Sequence, residues 1–370
     1  MTDKPVTDAP STNLLPGITA RRVQTPRLTA NVLDAAASDG EPVIFVHGNV
    51  SSSLFFQTTI LSLPQGFRGI AVDLRGFGDT DPEPVDATRG LCDYADDVAA
   101  VANALGLERF HLVGWSMGGG VALQLLLDTP GRLESVTLIA PVSPYGFGGT
   151  LGIDGTLISP DGAGTGGGTV NPDFVARLRA GDSSTEAATS PRLILRGHYV
   201  KPPFVPENED IYVASMLSTR VGEDHYPGDA RTTSTWPGAA AGDRGVLNTM
   251  SPTHLRLDGI DRVDPKPPIL WLRGDSDVIV SDTSLYDLAN LGALGVVPGW
   301  PGPERAAPQP MLGQTRAVLD RYAAAGGSYR EVVVTDAGHT PFLERPADFM
   351  AELTSLLLAG AAAGPMEAGC

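Results

Sequence analysis

Apolar residues along this chain fall into short unbroken runs separated by longer stretches of helical period. The clearest run, Pro42-Val43-Ile44-Phe45-Val46, is β-rich and closed by His47-Gly48-Asn49, as expected for a strand buried on both faces of a parallel sheet. Similar runs predict strands at Gly69–Asp73, Phe110–Val113, Val136–Ala140, Ile269–Arg273 and Glu331–Thr335. Two shorter strands are expected upstream, around Arg22–Gln24 and Leu28–Leu33, with Asp39-Gly40 as the following turn. Between the runs the period changes. Leu91, Tyr94, Val98, Val101, Ala102 and Leu105 share one stripe, which predicts an amphipathic helix over Leu91–Leu105. Further helices are expected at Val121–Leu127, Thr283–Leu291, Gln314–Ala325 and Ala347–Leu358. Such alternation predicts the α/β class: a mostly parallel, eight-stranded sheet with helices on both faces.

The alternation fails between Pro141 and Pro268. A Gly-rich segment from Gly146 to Gly168 is followed by Pro202-Pro203, a helical pattern at Asp210–Arg220 and another loop to Met250. So long a departure within a compact domain reads as a cap or lid. The predicted organisation is a flexible N-terminal arm (1–20), a core from 21–140 and 268–360, a cap insertion over 141–267, and a C-terminal tail (361–370). A second irregular insert, Val296 to Pro310, carries Trp300 and is expected to border the same cleft.

Charge and composition narrow the partners. Against 26 Lys+Arg stand 43 Asp+Glu, a formal net charge of −17 that would repel a phosphate backbone, so neither nucleic acid nor an anionic membrane is expected. No apolar run approaches the roughly 20 residues of a membrane span, and Met1 to Pro16 lacks the apolar core of a secretory signal. The expected location is cytoplasmic. Only Cys92 and Cys370 are present, giving neither a disulfide framework nor a zinc pattern, and no cofactor or metal is called for.

The candidate chemistry lies at predicted strand ends. In Gly114-Trp115-Ser116-Met117-Gly118-Gly119 a serine sits between an apolar run and a helical one. Small residues two positions either side let a strained strand-to-helix turn form, which exposes the hydroxyl and frees the N–H of Met117 for an oxyanion. A serine hydroxyl needs a base, and the base an orienting acid. His339 follows the strand at Val332–Val334, and Asp277 follows Ile269–Leu272, with Asp275 as its competitor on the same loop. Ligands of open parallel sheets bind outside the carboxyl ends of strands, where these loops can converge.

These motifs, with His47-Gly48-Asn49 and Asp73-Leu74-Arg75-Gly76-Phe77-Gly78-Asp79-Thr80, make the chain resemble an α/β-hydrolase-fold serine hydrolase over roughly residues 25–140 and 268–360. The resemblance implies Ser116 as nucleophile, His339 as base, Asp277 as acid, and oxyanion donation from the backbone N–H groups of Asn49 and Met117. Its spacing favours Asp277 over Asp275. Asn49 resembles the oxyanion loop of haloalkane dehalogenases, but those relatives and epoxide hydrolases carry aspartate where Ser116 stands.

The expected activity is hydrolysis of a carboxylic ester or lactone, on a small apolar substrate, with a homo-oligomer possible. The alternatives are C–C bond or amide hydrolysis on the same fold, or a low-turnover ligand-binding receptor. Trp115 is a possible substrate-binding residue or packs beside the elbow. Phe147, Phe174, Tyr199, Phe204, Tyr212, Met216, Tyr226 and Trp236 either line an apolar pocket or form the cap's own core. Asp73 and Arg75 are expected to fix backbone and His47 to order the oxyanion loop. The aspartates of Leu91–Leu105 read as a solvated face, and Gly162 to Gly168 as a mobile lid segment.

Overall fold

The computed structural model describes residues 13–35 and 40–361. Asp39, the first twelve residues of the expected arm, and the tail with Cys370 lie outside them. One eight-stranded sheet organises the chain, built from β1 (Ile18–Gln24), β2 (Thr29–Ala35), β3 (Glu41–Val46), β4 (Phe67–Val72), β5 (Phe110–Trp115), β6 (Leu133–Ile139), β7 (Ile269–Gly274) and β8 (Tyr329–Val334). Their spatial order is β1-β2-β4-β3-β5-β6-β7-β8. β1 and β2 run antiparallel to their neighbours; from β4 to β8 every pairing is parallel.

Burial accounts for the central strands. Every residue of β5 is buried, as are Val43, Ile44, Phe45 and Val46 of β3, because helices cover both faces. The longer helices are α1 (Cys92–Ala104), α2 (Met117–Asp128), α3 (Pro172–Ala180), α4 (Glu209–Leu217), α5 (Met311–Ala324) and α6 (Pro346–Ala361); α3 and α4 belong to the segment between β6 and β7 and are not part of this cover. Register keeps the carboxyl ends in step: Val46 pairs with Gly114, Trp115 with Ile139, Ile139 with Leu272, and Gly274 with Val334. Loops that follow these strands therefore leave from one end of the sheet.

Several expectations are corrected. Residues 13–20 are no loose arm: the Leu15 N–H donates to Gln57 Oε1 (2.7 Å), and β1 begins at Ile18. The helix after Ser116 starts at Met117, four residues before Val121, running through three glycines. The helix expected over Thr283–Leu291 is confined to Leu288–Ala293, because Asp287, in extended conformation, caps it by accepting from the Ala289 N–H. The α1 aspartates do not form a solvated face. Asp97 is buried and accepts both Arg75 (2.6 and 2.8 Å) and Arg27 (2.7 Å), while buried Asp93 accepts Arg27 and Arg89. Arg75 and Asp97 thereby fasten the loop after β4 to α1.

Between β6 and β7 the chain forms short helices and two-stranded ribbons. It docks on the loops at the carboxyl end of the sheet through Ser215 with Ser52 (2.7 Å between hydroxyls), the Gly78 N–H to Ser218 Oγ (3.1 Å), and the Lys201 N–H to Glu344 Oε1 (2.7 Å). The Gly-rich loop is tied down as well. Asn248 Oδ1 accepts from the N–H groups of Gly167 (2.8 Å) and Gly242 (3.1 Å), and Gly164 donates to the Ala239 carbonyl (2.8 Å). It is a fastened wall rather than a loose lid. Among the described residues no helix is long and apolar enough to cross a membrane.

Candidate active site

Ser116 follows β5 directly with φ 57° and ψ −119°, a left-handed conformation that costs a non-glycine residue about 1–3 kcal/mol. The flanking glycines make the turn possible. A Cβ on Gly114 would lie 2.2 Å from the Gly118 carbonyl oxygen, and one on Gly118 would lie 2.2 Å from that of Val46. Ser116 stands at the amino end of α2, lines a cavity of about 400 Å³, and its Oγ has no hydrogen-bond partner among the described residues.

His339 and Asp277 arrive from the neighbouring strand ends. The imidazole Nδ1 lies 2.8 Å from Asp277 Oδ2, with both side chains buried. Asp277 Oδ1 accepts from the N–H groups of Ile279 (2.8 Å) and Val280 (3.1 Å), so the carboxylate is fixed on both oxygens. Asp275 turns away: it accepts from Ser276 Oγ (2.7 Å) and the Asp336 N–H (3.0 Å) near the surface. The bond between Ser116 Oγ and His339 Nε2 is not formed, and Nε2 is buried without a partner among the described residues. Such bonds often tighten only when substrate binds.

The loop after β3 supplies the fourth part. Asn49 lines the cavity, and the backbone N–H groups of Asn49 and Met117 have no acceptor among the described residues. His47 is buried beneath the loop: Nδ1 faces the Gly48 carbonyl at 2.7 Å, and Nε2 accepts from the Leu74 N–H at 3.0 Å. Burial lowers its pKa, which agrees with a neutral ring donating through Nδ1. Asp73 serves backbone too, accepting from the N–H groups of Ser53 (2.7 Å) and Asp79 (3.0 Å).

Trp115 does not line the cavity, contrary to one sequence expectation. It is wholly buried against Phe55, Tyr199 and Phe342, and its Nε1–H donates to the His339 carbonyl at 2.9 Å. Being next to Ser116, it ties the loops of Ser116 and His339 together. The insert Val296–Pro310 is also absent from the lining; that wall is made by Leu285, Tyr286, Leu288 and Leu291. The eight residues expected to serve a cap divide. Phe147, Phe174, Tyr199 and Tyr226 line the cavity, whereas Phe204, Tyr212, Met216 and Trp236 do not.

Two residues gain a position that pattern alone did not single out. The Tyr199 hydroxyl accepts from the Val50 N–H (3.0 Å) and lies 3.0 and 3.1 Å from the carbonyls of Asn49 and Val50, to one of which it donates. Buried Glu344 accepts from the Gly338 N–H (2.9 and 3.0 Å) and the Lys201 N–H, which orders the backbone beside His339. Burial raises the Glu344 pKa. Tyr199 was named in the sequence only among eight residues that either line a pocket or form a core, and nothing there pointed to Glu344. Among the described residues no group of three or more His, Cys, Asp or Glu is arranged to hold a metal ion.

Comparison with known proteins bears on the fold that carries these residues. Residues 41–157 match the family model described as alpha/beta hydrolase fold. A 2-(acetamidomethylene)succinate hydrolase of Mesorhizobium japonicum is 27% identical over 76% of this chain and 87% of its own length. A 2-hydroxy-6-oxo-6-phenylhexa-2,4-dienoate hydrolase of Comamonas testosteroni is 38% identical, over 28% of this chain. The chain spans only 22% to 38% of the length of the first four curated relatives it matches and of the Comamonas protein. Among solved structures, an esterase of Exiguobacterium antarcticum superposes with a TM-score of 0.55 at 17% identity, covering 92% of this chain and all of the other. Strand order, the matched segment and the solved neighbours together give this chain the α/β-hydrolase fold.

Proposed function

We propose that this chain is a serine hydrolase that cleaves a carboxylic ester or lactone through an acyl-enzyme. The observation carrying the proposal is that three sequence-distant loops leave one end of the sheet: Ser116 in its strained turn beside a cavity after β5, and Asp277 and His339, joined at 2.8 Å, after β7 and β8. In this reading His339 takes the Ser116 proton, Ser116 Oγ attacks the acyl carbonyl, and the N–H groups of Asn49 and Met117 receive the oxyanion. The leaving alcohol, or the ring oxygen of a lactone, collects the proton from His339. Water activated by the same imidazole then releases the acid. Asp277 holds the tautomer and stabilises the imidazolium without taking the proton.

Amide or C–C bond hydrolysis is the second reading, favoured by the two relatives, whose names describe an acetamidomethylene compound and a dienoate. Reaction with a fluorophosphonate, lost in Ser116→Ala, followed by turnover of p-nitrophenyl esters, aryl esters and lactones, tests the proposal. Failure of the native protein to react would sink the nucleophile. Labelling with turnover confined to amide or C–C substrates would move the assignment to the second reading, and labelling with no turnover to the low-turnover receptor.

A further inference from the structure

The residues around the cavity sort by charge in an uneven way. Its wall includes Phe147, Val170, Phe174, Ile194, Leu247 and Met250, and its polar side chains are Asn49, Ser116, Thr169, Asn171, His198 and three tyrosines. Among the described residues none of the lining is a Lys, Arg, Asp or Glu.

Cations are nevertheless close by in sequence. The segment carrying Ile194, His198 and Tyr199 into the wall also carries Arg192, Arg196 and Lys201, and each of these is engaged elsewhere. Arg192 reaches Glu209 (2.6 Å) and Asp210 (2.7 Å), Arg196 holds Glu209 at 2.5 and 2.7 Å, and Lys201 holds Asp336 at 2.6 Å. None is free to meet a ligand anion. His198 itself has no hydrogen-bond partner among the described residues, and burial holds it below the usual imidazole pKa, so it is a neutral group at pH 7. The Tyr226 hydroxyl likewise has no hydrogen-bond partner among the described residues, and its residue is almost wholly buried.

Resting on the serine-hydrolase reading, we propose that the substrate is uncharged: an ester or lactone with a bulky apolar body, whose neutral oxygen atoms are met by Tyr226 and His198, and from which carboxylate-bearing analogues are excluded. An anion in this space would lose its water and gain no counterion. The overall charge of −17 would add repulsion on approach.

Two alkyl fluorophosphonates of equal length, one ending in a methyl ester and one in a carboxylate, provide the test in a single turnover. The neutral probe should label Ser116 about 100-fold faster at pH 7.5, given the cost of burying an unpaired carboxylate. Equal or faster labelling by the carboxylate would overturn the inference while leaving the nucleophile intact. No labelling by either probe would instead remove the hydrolase reading and this inference with it. Leu285 lines the cavity yet is 42% exposed, so Leu285→Lys can be accommodated at its edge. That variant should narrow the gap about tenfold in low salt, as one paired charge would. A gap unchanged by the new cation would mean that the missing counterion is not what slows the carboxylate, against the proposal.

Discussion

The hydroxyl of Tyr199 fastens the Asn49–Val50 backbone from across the cavity, so in the proposed mechanism it would act on the oxyanion through the loop rather than by touching substrate. Tyr199→Phe keeps the ring packed on Trp115 and frees only that loop. We expect kcat to fall about tenfold with little change in KM, since the loss of one oxyanion donor outright costs roughly 100-fold or more. A raised KM with unchanged kcat would assign Tyr199 to substrate binding instead. Asp277→Asn should be harsher, lowering kcat by about 10⁴ through the wrong imidazole tautomer, while reversible binding of a substrate analogue stays near that of the native protein. Ser116, Asp277 and His339 were legible as residues because each sits within five positions of a strand end, a local signal. Tyr199, His198 and Glu344 were not legible. Their roles arise from contacts to residues more than a hundred positions away or from a side chain's orientation, and neither leaves a period in the sequence.

At the scale of elements, buried amides join the walls of the cavity in addition to the core that packs behind them. Gln314 accepts from Ser143 Oγ (2.6 Å) and from Gln309 Nε2 (2.7 Å), and donates to Thr150 Oγ1 (3.0 Å) and the Gly152 carbonyl (2.9 Å). Gln309 in turn accepts from the Gly148 N–H (2.6 Å), donates to the Gly146 carbonyl (3.1 Å), and gives its own N–H to Asp287 Oδ2 (2.8 Å). One buried network thus joins α5, the turn before Leu288 and the Gly-rich wall. Gln314→Leu would strand several of these groups, and we expect a loss of about 1–3 kcal/mol in denaturant unfolding. A loss below about 0.5 kcal/mol would mean that water replaces the amide. This network also accounts for the shortened helix at Thr283–Leu291, where Asp287 serves two backbone N–H groups and so begins the helix late. The inner strands were visible as apolar runs because both their faces are buried, whereas the largely exposed β1 was anticipated only in part, from Arg22. The pairing of Asp93 and Asp97 with three arginines was not, since a stripe of aspartates looks alike whether it meets water or guanidinium.

For the molecule as a whole, buried imidazoles set the response to acid. Burial is the largest cause holding His47, His111, His198 and His225 below the ordinary histidine pKa. The unfolded chain, whose histidines titrate near about 6.5, therefore binds more protons than the folded one below that pH. Their contribution is present in full above about pH 6.5 and is lost as the pH falls toward their lowered folded values. Asp287 and Glu344, raised by burial, act with the opposite sign: their protonation favours the folded state as pH falls through their raised values. The thermal midpoint should accordingly drop between about pH 7.5 and 5.5, and His47→Gln should make that drop smaller. An equal drop in the variant would clear His47 of the effect.

The hydrogen bonds by which the 141–267 segment docks have a consequence for recombination between proteins of this fold. They end on Asn49, Val50, Ser52, Gly78 and Glu344, in or beside the loops that carry the candidate site. Grafting this segment onto another sheet would therefore transmit two properties together: the shape and neutrality of its wall, and the set of the loops beneath. A graft that kept the contours of the wall but omitted Tyr199, Ser215 and Ser218 should inherit the ligand preference of this chain without its turnover. Breeding new selectivity into the fold would then be a matter of matching joints as much as of reshaping pockets.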